Sequence, residues 1–225
     1  MVHMARINPV VEMDHFDAPE IRARLSSGQA GCVIVRETID PSILAGLSPA
    51  HQRFLSRHWV AAAPSGRLGL YEFNHRAPVE DRSEPDATLK DAVAALVEND
   101  ITRMAEISTS GTKVRGRFCL DYYLSAGAHI DRVTGRNIAH RHLIGDQAGM
   151  VIFCPEGPVD IRPANNAGDQ FDRTQIDRMV RQGNAKLRQL KPGEIAYFND
   201  TCLHWSFIPR HQDLSEVPKF RVIYA

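Results

Sequence analysis

The pattern of apolar and polar positions changes character about halfway along the chain. In the first half it is mostly helical. Asp17, followed by Glu20 three residues on, has the form of an N-cap and predicts a short helix ending near Gly28. Ile43 to Trp59 reads as a helical stretch interrupted by Pro49. Leu89, Val93, Leu96, Val97, Ile101, Met104 and Ala105 recur at spacings of three and four, which predicts a helix over Ala87–Ile107 with one buried face. Two strand-like runs break this half: the compact apolar Cys32-Val33-Ile34-Val35 and the alternating Leu68–Phe73. Residues 1–16 show no clear period and are expected to form an arm, and Asn74–Asp86 is polar enough to be a surface loop.

From Lys113 onward short strand-like runs follow one another. They are Arg117–Leu124, Asn137–Ile144, Met150–Cys154, Val159–Arg162, Ile195–Asn199 and Arg221–Tyr224, separated by Gly127, Gly145, Gly157 and Pro192-Gly193. Residues 164–186 are the one long interruption, with a helix expected at Thr174–Arg181. Helices preceding a succession of antiparallel strands predict a mainly β fold with added α-helices, of sandwich or jelly-roll type, and a single domain over residues 1–225.

Composition narrows the function classes. Lys+Arg and Asp+Glu both number 27, so the net charge is close to zero. That balance argues against broad electrostatic binding to nucleic acid or to an anionic membrane surface. No apolar run approaches the roughly 20 residues that span a bilayer. Cys32, Cys119, Cys154 and Cys202 are widely spaced, without a Cys-x-x-Cys pair, which predicts reduced and mostly buried thiols in a cytoplasmic protein rather than a thiolate zinc site or a disulfide framework.

Candidate chemistry centres on Ala128-His129-Ile130-Asp131. Residues two apart on an extended strand point to one face, so the imidazole and the carboxylate would converge. A further imidazole would complete a two-His, one-carboxylate set of the kind that holds non-haem Fe(II) with open positions. His204 is a candidate, following a strand over Ile195–Asn199 that is launched by Lys191-Pro192-Gly193-Glu194, where Pro and Gly stand in type II turn order. Arg221 opens the final strand.

Taken in order, His129-x-Asp131, Pro192-Gly193-Glu194, His204 and Arg221 resemble the pattern of the Fe(II)/2-oxoglutarate-dependent oxygenases. The resemblance covers about residues 113–225 and leaves residues 1–112 as helices and early strands packed on the core. It implies a double-stranded β-helix core (jelly roll, cupin-like). It also implies His129, Asp131 and His204 as Fe(II) ligands and Arg221 as the partner of the distal carboxylate of 2-oxoglutarate. A guanidinium suits that carboxylate because it stays charged and can bind it bidentately. Two neutral imidazoles and one carboxylate leave room on iron for the oxoacid and for O2. Many family members place a Ser or Thr two residues after the arginine, where this chain has Ile223. Tyr123 or Tyr122 is then the expected helper, and since neighbours on a strand face opposite ways only one would point inward. Because Asp131 keeps the carboxylate that halogenating relatives lose, hydroxylation is expected.

Other residues near these motifs have more than one reading. Arg136, His140 and Trp205 are candidates for contacting the substrate. Arg132, Arg136 and Arg141 would suit an acidic substrate group, or one of them could take the place of Arg221, while solvated surface arginines have the same signature. His140 and His142 share a strand face and have the form of a two-imidazole metal site, though such a pair is more often structural or lines a pocket, and Trp205 and Phe198 suit either a pocket wall or the core. The expectation is an enzyme that oxidises a small-molecule or amino-acid-derived substrate with release of succinate and CO2. The alternative is a cupin-like metal-binding or sensing protein without catalysis, which would have no use for Arg221.

Overall fold

The computed structural model describes residues 4–37, 99–100, 102–108, 116–121, 128–131, 137–144, 149–163, 171–207 and 219–224. Within them the chain is mainly β with few helices. The strands are β1 (Ala5–Ile7), β2 (Val10–Met13), β3 (Cys32–Val35), β4 (Gly116–Asp121), β5 (Ile138–Ile144), β6 (Gly149–Pro155), β7 (Val159–Ile161), β8 (Ala185–Gln189), β9 (Ile195–Phe198), β10 (His204–Phe207) and β11 (Lys219–Tyr224). They form a six-stranded sheet in the order β2-β3-β9-β5-β11-β4, a three-stranded sheet β10-β6-β8 and a two-stranded ribbon β1-β7. All pairings are antiparallel except β2 with β3. The described part of the expected arm, residues 4–16, is therefore not free. It contributes β1 to the ribbon and β2 to the edge of the large sheet, and this non-local pairing leaves no trace in a short apolar period.

The sheets pack as their period-two patterns dictate. Along β6, Met150 and Ile152 join a cluster with Cys32 and Ile34 of β3, Ile138 of β5 and Ala196 and Phe198 of β9, which is the core between the sheets. The alternate residues Val151 and Phe153 face the other way, into a second cluster with Ile7, Ile161, Ile176 and Trp205. Both faces of the small sheet are thus covered, one by the large sheet and one by the β1-β7 ribbon and the helix Arg173–Arg181. Strands β3 and β9 are buried at every position, consistent with continuous apolar runs in the interior of a sheet.

Helix α1 (Ala18–Ser26) starts as its sequence predicts, with Asp17 accepting from the Glu20 amide at 3.1 Å, and buries Ala18, Ile21 and Leu25. Residues 99–100 and 102–107 are helical, as expected for the end of the Ala87–Ile107 segment, and Met104 and Ile107 are buried there. Ala105, placed on the buried face by its spacing, is exposed, and Asp100 takes a fully buried position instead. The expected helix at 43–59, strand at 68–73 and loop at 74–86 lie outside the described residues. None of the described helices is long and apolar enough to cross a membrane.

Asp100 is buried because it has a matched partner. Its two carboxylate oxygens accept from Arg141 Nε at 2.6 Å and Nη2 at 2.7 Å, while Arg141 Nη1 donates to the Gly193 carbonyl at 2.6 Å. Arg141 sits opposite Ile195 in the ladder, on the face of the large sheet turned away from the core between the sheets. The pair therefore ties the helix around Asp100 to the Lys191–Glu194 turn. This is a type II turn as predicted: Glu194 N–H donates to the Lys191 carbonyl at 3.1 Å and Gly193 has φ +88°. Removing one member of a buried pair leaves the other charge uncompensated. Arg141→Ala is expected to lower the stability by about 3–5 kcal/mol, read as a drop in the urea midpoint with an unchanged slope; an unchanged midpoint would remove this pair from the structural frame.

Candidate metal centre

The site begins with a backbone contact. His129 and His204 face each other in an isolated antiparallel bridge on the outer edge of β10. They exchange both hydrogen bonds, His129 N–H to the His204 carbonyl at 2.9 Å and His204 N–H to the His129 carbonyl at 3.0 Å. Residues so paired have side chains on one face, with Cα atoms about 5.5 Å apart. The two imidazoles are accordingly neighbours, with ring centroids 4.4 Å apart.

Alternation places the third group. Ala128 and Ile130 point into the outer hydrophobic cluster, so His129 and Asp131 share the opposite side. Cys202 joins the core between the sheets, Leu203 the outer cluster, and Trp205 the outer cluster again, which leaves His204 on the inner side against the ring of Phe198, 5.0 Å away. The result is a convergent set. Asp131 Oδ1 lies 3.7 Å from His129 Nε2, and Asp131 Oδ2 lies 3.4 Å from His204 Nε2. One donor atom from each of His129, Asp131 and His204 falls within 4.8 Å of the others. Donors bound at roughly 2.0–2.2 Å to a common ion stand about 3–4 Å apart, and the two carboxylate–imidazole separations suit a shared cation. His204 is 3% exposed, whereas His129 and Asp131 are 29% and 30% exposed, so the set opens to the outside on the His129–Asp131 side.

Burial pulls the His204 pKa down, but hydrogen bonds with Asp131 and Cys202 outweigh it, and the net is a rise to about 9. A donor that holds a proton must release it to bind a metal, so cation and proton compete for this nitrogen. Cys32, Cys154 and Cys202 are free thiols, with Cys32 and Cys202 buried as predicted. Burial raises the Cys154 thiol to about 12, so it holds its proton at neutral pH.

The other predicted site residues divide as follows. Trp205, expected to contact the substrate, is 2% exposed in the outer cluster, on the face of β10 opposite to His204, with Arg173 over its ring at 4.5 Å. Adjacent residues of a strand cannot both line one pocket, so Trp205 is a core residue. Arg141 is occupied by Asp100 and Gly193 and does not take the place of Arg221. Arg221 is opposite His142 on β5 and Cys119 on β4, and His140 is opposite Ala196 on β9. Tyr122, Tyr123, Arg132 and Arg136 lie outside the described residues.

No protein-family model matches this sequence, and neither does any curated protein. Solved structures do. The chain is similar to a prolyl-4-hydroxylase from Pseudomonas putida, with a TM-score of 0.50 and 10% identity over 92% of this chain and 97% of that one. It is similar to EctD from S. alaskensis, with a TM-score of 0.49 and 13% identity over 100% and 84% of the two chains. EctD has also been solved with bound Fe and with 2-oxoglutarate and 5-hydroxyectoine. A third similar structure is an oxidoreductase of the 2OG-Fe(II) oxygenase family from Burkholderia pseudomallei, with a TM-score of 0.46 and 10% identity over 96% and 93%. At this identity the likeness to the prolyl-4-hydroxylase is one of fold.

If the three residues hold a cation, His129→Ala and His204→Ala should each abolish Fe(II) binding, measured by anaerobic equilibrium dialysis of untagged protein. Full affinity in both variants would sink the assignment.

Proposed function

We propose that this chain is an Fe(II)/2-oxoglutarate-dependent oxygenase built on a double-stranded β-helix core, with His129, Asp131 and His204 as the iron ligands. The observation that carries the reading is the convergence of two imidazoles and one carboxylate across the His129–His204 bridge. The order of motifs along the sequence and the fold shared with a prolyl-4-hydroxylase support it. When bound, Fe(II) with 2-oxoglutarate and O2 supplies the oxidising chemistry, releasing succinate and CO2.

The protein's own contribution is positional. The bridge presents both imidazoles from one side, and Asp131 adds a negative charge that favours a divalent cation over a monovalent one. The packing of Phe198 against His204 keeps the buried side of the donor set apolar, so solvent reaches it from the other side. Arg221, whose guanidinium carries the charge to bind a carboxylate bidentately, is our candidate for the distal carboxylate of 2-oxoglutarate. In backbone register it stands opposite His142 on β5 and Cys119 on β4. Tyr123 or Tyr122 would assist it. Arg136 and His140 remain candidates for the substrate, which we take to be a small molecule or an amino acid derivative undergoing hydroxylation.

Titrating 2-oxoglutarate into the anaerobic Fe(II) protein tests the reading. The expected result is a visible charge-transfer absorption, and succinate formation once O2 and a substrate are supplied. Arg221→Leu should weaken 2-oxoglutarate binding on the order of 10–100-fold, as expected for losing a hydrogen bond to a charged group. An Fe(II)-binding protein with no such absorption would instead be a cupin-like metal-binding or sensing protein.

A further inference from the structure

The turn that delivers His204 is held from outside its own sheet. Residues 199–202 close on themselves: the Asn199 side-chain oxygen accepts from Thr201 N–H at 2.9 Å and from the Thr201 hydroxyl at 2.6 Å, and Cys202 N–H donates to the Asn199 carbonyl at 3.2 Å. The N-terminal segment then grips this turn at several points. Asn8 N–H donates to the Thr201 carbonyl at 3.2 Å, and Asn8 Nδ2 donates to the Thr201 hydroxyl at 3.1 Å. Asn199 N–H donates to the Gly31 carbonyl at 3.1 Å, and Asn199 Nδ2 to the Leu25 carbonyl at 3.1 Å. Gly31 lies so close that a Cβ there would stand 2.6 Å from the Thr201 carbonyl oxygen.

The Thr201 hydroxyl is the hub of this arrangement. It uses its proton on Asn199 and a lone pair on Asn8, so it joins the turn's internal bonds to the N-terminal segment. Asn8 is itself buried, which makes its amide costly to leave without this acceptor. Three residues further along the chain is His204, whose amide and carbonyl form the bridge to His129.

We propose that Thr201 is a positioning residue for the His204 donor, and that through Asn8 and Gly31 the N-terminal segment sets the height at which His204 meets His129. The metal role of His204 rests on the reading above; the lock on the turn does not. Groups hydrogen-bonded directly to a ligating side chain typically carry about 10–100-fold of metal affinity, which sets the upper range for a brace that acts through the turn.

The test uses Thr201→Val, which keeps the shape and removes the hydroxyl, and Thr201→Ser, which keeps the hydroxyl. In metal-free full-length protein, hydrogen exchange at the His129 and His204 amides should quicken about tenfold or more in Thr201→Val. The amides of the β3–β9 ladder should be unchanged, and Thr201→Ser should restore the wild-type rates. Gly31→Ala, which displaces the turn by volume, should act in the same direction. Fe(II) affinity should fall in Thr201→Val, by no more than about 10–100-fold, and be recovered in Thr201→Ser. Wild-type exchange at both bridge amides in Thr201→Val would overturn the proposal, as would an equal rise across β3 and β9, which would mean a general loss of stability. Local quickening with unchanged Fe(II) affinity, in a protein where His204→Ala loses it, would also overturn it. If His204→Ala binds Fe(II) like wild type, the ligand assignment fails, and the exchange data still decide whether Thr201 sets the bridge.

Discussion

Everything the candidate site does follows from two backbone hydrogen bonds, those exchanged between His129 and His204. They are worth little individually, since a net hydrogen bond contributes about 1 kcal/mol. Their importance is geometric, because a bridge of this kind decides which side chains share a face. A slip of one residue along β10 would bring Trp205 to the inner side and send His204 into an apolar cluster. That slip is opposed by everything packed on both sides of β6. Val151, Phe153 and Trp205 require the outer cluster, and Met150 and Ile152 require the core between the sheets. The chemistry is held in register by hydrophobic residues that never touch it.

The same logic extends to the far side of the large sheet. Arg141 grips Asp100 and the Gly193 carbonyl, and Gly193 is the left-handed residue of the turn that launches β9. Two further charges brace that turn, since Glu194 accepts from Lys191 N–H at 2.8 Å and from Arg188 at 2.6 Å. β9 ends at Phe198, which packs on His204. A buried ion pair is a poor source of net stability, because desolvation offsets most of its attraction. What this one provides is direction, fixing where β9 begins and hence where Phe198 arrives.

Period and turn chemistry made much of this legible in the sequence. The runs at 32–35, 149–155 and 195–198 are apolar because they lie inside sheets, and Pro192-Gly193 has the turn geometry its residues demand. The cap at Asp17 is local and was equally readable. Alternation could bring only His129 and Asp131 to one face; His204 was nominated by the resemblance of the whole motif order, with Pro192-Gly193-Glu194 and Arg221, to the Fe(II)/2-oxoglutarate-dependent oxygenases. What could not be read were features made by partners distant in sequence. β1, β2 and β8 are short and carry weak patterns, and their existence depends on the edges they pair with. Asp100 interrupts an apolar face for an arginine 41 residues away. Trp205 looked like a pocket residue through its closeness to His204 in sequence, but closeness by one residue on a strand means opposite faces.

The electrostatic state of the donor set is the last link. One carboxylate lies between two imidazoles, at the border between a 3% exposed histidine and a more open side. Half-buried between the two rings, the carboxylate favours a positive charge beside it. Asp131 and Cys202 together favour a proton on His204 and raise its pKa to about 9 despite burial. A divalent cation placed between the same three residues would take over the proton's role and engage His129 as well, so the arrangement can persist with either partner. The donors need not assemble around the ion, because the bridge and the packing behind it already hold them on one side. The binding energy of a cation would then go into coordination rather than into ordering the chain.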